Sequence, residues 1–526
     1  MPALLVAICL AGCAASHEPL HRRRDPGALV VAQPSDVTGL DPVRVIDTES
    51  IEVGELLFEG LVRWKPGTTD IIPGLANDWG VSPDGKRWTF HLRDHVTFHD
   101  GTPLDAAAVV FSFERLLVKT HPDYLAGDDV ELWHQLLKRV AHVTAVDPTT
   151  VVIDVSQPYS PLLGNLALFP IVSPTAVRRW GDQFRSHPVG TGPFAFESWS
   201  KGEQLVVRRY ERYWGKPALL ERIVFRVVVD PRQRLIDLES GSVDFAMAIL
   251  PDEQSFVELH PDLELHHTPG NDVSYLAFNT QHPPFDDVRV RRAINLGINK
   301  EPIVKLAYQG RAIAADGPLP PAQWGFHQPA VRYSYDLAAA KQLLAEAIAA
   351  DKFDPDTTYK LYAPSTPRPY MAQPERVARF LHAALDQLGV KTELVLQPYL
   401  DHRTSVQNGE HDIALFGWVG DTGDPDNFLY VLFHSDNAKV GQAQNIAFYS
   451  DPGVDHLLNE AQNAADEATR TGLYRVVQDR LSEDAPWVPI AHSELVVATR
   501  TEMKDVVLSP LGHPIYALIH RVEARP

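Results

Sequence analysis

The sequence predicts an α/β protein of two or three domains. Its 526 residues exceed what one hydrophobic core ordinarily supports. β-Branched runs alternate with segments of helical periodicity, which is the pattern of packed strand and helix layers. Hydrophobic residues make up 44% of the chain, an ordinary globular share, and the 42 prolines suit many turns between short strands.

The elements follow in order. Residues 28–32 form a short apolar run that fits a first strand. Residues 88–93 alternate large and polar side chains, as a half-buried strand does. Residues 106–119 carry apolar side chains at helical spacing. Residues 149–155 and 223–229 are β-branched and predict strands. Residues 335–350 and 374–388 read as amphipathic helices, the second closed by Gly389 at its C-cap. Residues 390–396 follow as a strand.

A formal net charge of −20 argues against a nucleic-acid partner and mildly favours cationic or neutral ligands. The sequence has no low-complexity block or internal repeat. Residues 2–10 are a short apolar run leading into Leu10-Ala-Gly-Cys13, far too short to span a bilayer as a helix. No second apolar stretch approaches spanning length. Residues 14–27 lack apolar periodicity and predict a tether, whose arginines at 22–24 either touch anionic headgroups or are solvated. The two cysteines, Cys9 and Cys13, both lie in this N-terminal stretch, so the folded body is expected to hold no disulfide.

Two loops carry the residues best suited to chemistry. Phe416-Gly-Trp-Val-Gly-Asp421-Thr-Gly-Asp-Pro-Asp-Asn-Phe428 sets a carboxylate three residues after Trp418. Its glycines at 417, 420 and 423 allow backbone angles that other residues resist, and Gly-Asp-Pro turns the chain. Such a loop holds a carboxylate at a pocket wall against an aromatic floor. The plainer alternative is a surface turn with a buried tryptophan. Ser365-Thr-Pro-Arg368-Pro-Tyr370 is a second rigid loop, its backbone restricted by two prolines. Arginine offers a planar fork suited to a carboxylate, although a lone arginine is usually just solvated. An Arg on one loop and an Asp on another can clamp the two ends of a short zwitterion.

No His-Glu-x-x-His, Walker loop or nucleophile elbow is present, so no enzymatic chemistry is predicted. Gly190-Thr-Gly-Pro-Phe194 is glycine-rich but lacks the rest of a phosphate loop. Asp424 and Asp426 read as residues that cap and shape their loop. His266 and His267 are adjacent, and on a strand they point to opposite faces, which is poor geometry for one metal.

The two loops, with further segments in order, resemble family 5 of the bacterial extracellular solute-binding proteins. This is the peptide and nickel group serving ATP-binding-cassette importers, and within it the resemblance is to dipeptide-binding proteins. The further segments include Leu57-Phe-Glu-Gly-Leu-Val62, Pro73-Gly-Leu-Ala-Asn-Asp-Trp79, Val81-Ser-Pro-Asp-Gly85, Phe98-His-Asp-Gly101, Pro188-Val-Gly-Thr-Gly-Pro-Phe194, Tyr213-Trp-Gly215 and Pro284-Phe-Asp-Asp-Val-Arg-Val-Arg291. The resemblance runs from about Val30 to the C-terminus.

It implies a two-lobed periplasmic-binding-protein-like fold, type II in its large variant, with the ligand cleft between the lobes. Lobe I is expected at about 28–272 plus 490–526, with an inserted subdomain at about 59–188. Lobe II is expected at about 273–489. Strands near 273–279 and 489–492 are expected to cross between lobes, which close on the ligand by a hinge motion. Carried over to matching positions, Asp421 takes the α-ammonium of a dipeptide and Arg368 its α-carboxylate. Trp418 and Tyr370 line the pocket, and amides near Gly420 donate to the ligand. Residues 46–50, Thr48 and Ser50 among them, face the ligand from the other lobe.

No cofactor and no metal is expected, and His99-Asp100 belongs to a structural segment of the family. The expected partners are a dipeptide or short peptide and the permease and ATPase subunits of an importer, with the protein a monomer. Residues 1–13 resemble a lipoprotein signal ending at a lipidated Cys13. The basic segment that should precede the apolar run is missing, which points to a start upstream. The implied location is the periplasm, anchored to a membrane by lipid, or the outer surface of a single-membrane bacterium. Relatives bind longer oligopeptides, haem, δ-aminolevulinate, opines or nickel chelates. The Arg368 and Asp421 pair favours a short zwitterion over a neutral sugar but does not separate a dipeptide from δ-aminolevulinate.

Overall fold

The computed structural model describes residues 27–45 and 47–522, with the backbone alone at Asp128. The signal, Cys9, Cys13, nearly all of the tether and Ile46 lie outside the described residues. Ten strands follow one path, in the order Thr392–Gln397, Tyr359–Pro364, Ile413–Val419, Asp272–Phe278, Trp487–Arg500, Phe245–Ala246, Ala28–Gln33, Arg222–Val227, Gln204–Arg209 and Phe194–Ser200. Leu263–Pro269 and Ala312–Ala314 also pair with Trp487–Arg500. That strand has 14 residues, longer than the usual ~3–10. Residues 487–491 pair with Asp272–Phe278, and residues 494–500 pair with Leu263–Pro269. One strand therefore belongs to both halves of the sheet.

Each half is a layered α/β body because its strands send side chains to two covered faces. In Asp272–Phe278 every residue is buried. Leu276 and Phe278 join one apolar cluster, while Val273, Tyr275 and Ala277 join another on the opposite face. Ala28–Gln33 divides in the same way, with Leu29 and Val31 to one side and Ala32 to the other. A strand covered on both faces has no reason to alternate in polarity, so these strands read as continuous apolar runs.

Helices supply the covers. Pro374–Leu388 starts with proline at its first position and buries Val377, Ala378, Leu381, Leu385 and Leu388, one stripe at helical spacing. It ends at Gly389, whose φ of +101° is the left-handed turn that glycine adopts without strain.

Residues from Val43 to Ile171 build a separate apolar cluster. Its sheet is antiparallel, in the order Ala76–Val81, Arg87–Leu92, Thr150–Val155 and Val140–Asp147, covered on one face by Ala106–Leu117. Thr150–Val155 alternates half-buried and buried positions, as expected where one face meets a core and the other does not.

Leu276 is fully buried between Leu415 and Val488 in adjacent strands. Leu276→Ala is expected to destabilise the protein by about 2–5 kcal/mol, read as a lower denaturation midpoint in urea.

Candidate functional site

Three strands place the site. Tyr359–Pro364 runs parallel to both Thr392–Gln397 and Ile413–Val419. Parallel neighbours end on the same side, so the three following segments emerge at one edge of the sheet, where ligands bind in open α/β sheets. They bring Arg368, Tyr399 and Asp421 to one wall of a cleft of about 1730 Å³. Tyr370 and Trp418 line the same wall, and Ser50, Glu55, Glu59, Arg63, Trp64 and His513 line the cleft from the other half.

The arginine loop is pinned from three directions. Arg368 and Met371 exchange backbone hydrogen bonds at 3.0 and 2.9 Å. Tyr308 donates its hydroxyl hydrogen to the Tyr370 carbonyl at 2.9 Å. The Tyr370 ring lies flat against Gly417, where an added Cβ would come within 2.3 Å of it. Only glycine at 417 permits that approach. The Arg368 guanidinium then stacks over Tyr399 at 3.7 Å from the ring centre, a cation–π contact that orients the fork without neutralising its charge. Burial pushes the Tyr370 phenol above its ordinary range, partly offset by the neighbouring Arg368.

The acidic loop is organised by Asn427. Its side-chain oxygen accepts from the Trp418 indole at 2.9 Å and from the Asp421 amide at 3.1 Å. That arrangement turns the amide nitrogen of Asn427 toward the Asp421 carboxylate, at 3.5 Å. Asp421 is half-buried at the cleft wall. Burial pushes its carboxyl up to about 6, and the Asn427 contact opposes that shift. Among the described residues no cation lies within ion-pair distance of Asp421, and no carboxylate within that distance of Arg368.

Two expectations are corrected. The Gly420 amide donates to the Asn271 carbonyl at 2.7 Å and is not free for a ligand. Gly420 is needed for packing instead, since a Cβ there would meet Asn271 at 2.3 Å and Phe428 at 2.4 Å. Thr48 is exposed at the start of the Thr48–Leu57 helix and does not line the cleft. Ser50 does line it, but its hydroxyl accepts from the Thr38 amide at 2.9 Å and serves the helix entrance, where Asp47 caps the Ser50 amide. Ile46, the remaining position expected there, lies outside the described residues.

Sequence reasoning missed Tyr399, Asn427 and the packing role of Gly417. Asn427 stands inside the quoted loop, and its signal was a short amide side chain beside Asp426 at a helix start. Tyr399 carries no local signal, because only the parallel pairing brings it under Arg368. Among the described residues no group of three or more His, Cys, Asp or Glu side chains is arranged to hold a metal ion, and no helix is long and apolar enough to cross a membrane.

Two lobes around a ligand-sized cleft define the class of periplasmic binding proteins. Residues 70–440 match the family described as bacterial extracellular solute-binding proteins, family 5, middle region, and the chain belongs to that family. It is 33% identical to heme-binding protein A of Haemophilus influenzae over 495 residues, covering 91% of this chain and 89% of the relative. It is also 33% identical to the dipeptide-binding protein of Escherichia coli over 472 residues, covering 87% of each. The structure of HbpA2 from Haemophilus parasuis superposes with a TM-score of 0.87 at 28% identity, over 94% of this chain and all of that one.

The Asp421 carboxyl in the unliganded protein is expected to titrate near pH 6 by carbon-detected NMR. Asn427→Ala removes a donor to the charged form and is expected to move that titration higher.

Proposed function

We propose that this chain is the substrate-binding component of an ATP-binding-cassette importer and captures dipeptides or short peptides between its lobes. The observation that carries this reading is the uncompensated pair, a fixed guanidinium and a fixed carboxylate on one cleft wall with no ionic partner for either among the described residues. Leaving such charges half-desolvated and unpaired costs several kcal/mol unless a guest completes them. An extended dipeptide offers a cation and an anion about 7 Å apart, at roughly 3.3 Å per residue. Asp421 takes the ammonium, Arg368 takes the carboxylate, and Trp418 and Tyr370 exclude water. The dipeptide-binding relative supports the same choice.

The lobes are proposed to span about 28–272 plus 490–526, and about 273–489, hinged at the strands shared between them. The protein is proposed to be a periplasmic monomer, anchored by lipid at Cys13, that hands its guest to the permease and ATPase subunits. It is read as a receptor, so bound peptide is recovered intact. A larger guest is the second reading. It is favoured by the heme-binding relative and by a cleft volume beyond the usual ~300–1,000 Å³ of ligand pockets. Native mass spectrometry of protein purified from cells separates the two by the mass of the retained ligand.

Arg368→Ala is expected to cost about 2 kcal/mol of dipeptide affinity by calorimetry, and an unchanged dissociation constant refutes the clamp. Binding needs Asp421 ionised, so affinity is expected to fall about tenfold per pH unit below about 6. The same raised pKa acts against folding. The carboxyl is protonated more readily in the folded chain than at its ordinary 3.8, so stability drops as pH rises from that value to about 6 and stays low above it. Asp421→Asn is therefore expected to raise the melting temperature of the peptide-free protein at pH 7 while abolishing tight peptide binding.

A further inference from the structure

The loop that carries Asp421 has two sides. One faces the cleft, and the other is covered by the Val43–Ile171 unit. Trp64 donates its indole N–H to the Thr422 carbonyl at 3.3 Å. Gly164 packs on the same carbonyl so closely that an added Cβ would stand 3.0 Å from its oxygen. Gly423, in the left-handed region at φ +64°, lies against Trp64 and Thr69. A second set of contacts reaches the helix that follows the loop. Arg139 donates to the Gln462 side-chain oxygen at 2.5 Å, and Gln462 donates to Asp426 at 3.1 Å. Asp426 directly precedes Asn427, the residue that organises Asp421. The Ser160 amide donates to the Gln462 carbonyl at 2.9 Å.

This seam is dry. Arg139, Gln462 and Asp426 are 9%, 2% and 6% exposed. Burial, with the neighbouring Asp424 and against Arg470 and Arg139, pushes Asp426 up to about 7. The contacts join two separate apolar cores, and none of them involves the strand shared by the two halves of the sheet. They therefore depend on how far the cleft is closed.

We infer that the Val43–Ile171 unit is a latch on the ammonium loop, and that Trp64, Gly164 and Gln462 are positioning residues that set how long a guest is retained. The inference rests on the peptide-clamp reading, because the loop governs retention only if Asp421 holds the guest. A ligand drawn to Asp421 stiffens the loop, and the stiffened loop gives the latch a fixed seat. Retention then draws on contacts within the chain as well as on those made to the ligand.

The test follows release of tritiated Ala-Leu chased with unlabelled peptide, alongside melting of the peptide-free protein. Trp64→Phe deletes one neutral hydrogen bond and Gln462→Met deletes two charge-assisted ones, to Arg139 and Asp426, and each is expected to release the dipeptide at least about threefold faster. Gly164→Ala makes the Thr422 carbonyl give by a few tenths of an ångström and is expected to speed release as well. Melting without peptide is followed as the control for a general loss of stability, to which these buried contacts also contribute. Wild-type release from all three variants, with or without a lower melting temperature, overturns the latch and leaves the clamp standing. If the wild type fails to bind Ala-Leu, or Asp421→Asn binds it as tightly, the clamp falls and takes the latch with it.

Discussion

Parallel pairing of three strands is the constraint on which the site depends. Tyr359–Pro364 lies between Thr392–Gln397 and Ile413–Val419, all running the same way. Their ends share one edge, and so do Arg368, Tyr399 and Asp421. No residue in those segments has to find the others by its own contacts. The sheet delivers them, and the glycines at 417 and 420 let side chains from neighbouring loops pack onto the backbone there. A register slip of one residue would turn Leu361 and Ile413 out of the core, so burial holds the site's geometry as well as the fold.

Several other buried charges are treated differently from Arg368 and Asp421. Arg470 meets Asp424 through both ends of its fork, at 2.8 and 2.6 Å. Arg234 donates to the carbonyls of Met247, Val228, Val229 and Ala248. Glu59 accepts from Thr191, Tyr213 and Trp214. Each of these groups meets its desolvation cost inside the chain. Arg368 has a ring beneath it and Asp421 a single weak amide contact. That contrast supports a site completed from outside. It also explains why an acid at 421 acts against the stability of the empty protein, with packing elsewhere offsetting the loss.

Most element boundaries could be read from local pattern. Residues 374–388 carry a stripe at helical spacing between Pro374 and Gly389, and the helix spans those residues. The β-branched run at 223–229 appears as Arg222–Val227, shortened where Val229 becomes exposed ahead of the Asp230 cap. The site was legible only in part. Arg368, Tyr370, Trp418 and Asp421 share a cleft wall, whereas Thr48 and the Gly420 amide do not serve it. The misses differ in cause: Thr48 is exposed and off the cleft, whereas the Gly420 amide is already taken by a neighbour, which sequence does not show. The Gly420 amide is claimed by Asn271 from a distant part of the chain, and the Ser50 hydroxyl accepts from Thr38, 12 residues earlier.

By itself, the sequence determined what spacing and side-chain chemistry determine: the strands, the helices, their caps, and the two rigid loops with one cation and one anion. Those properties are local, because they follow from periodicity and from the backbone limits of glycine and proline. Tertiary structure alone decided that the two loops share one cleft wall, that Tyr399 lies beneath Arg368, and that the Val43–Ile171 unit covers the back of the acidic loop. Each of those is a contact between segments far apart in the chain, set by strand order and packing, and no local pattern carries that information.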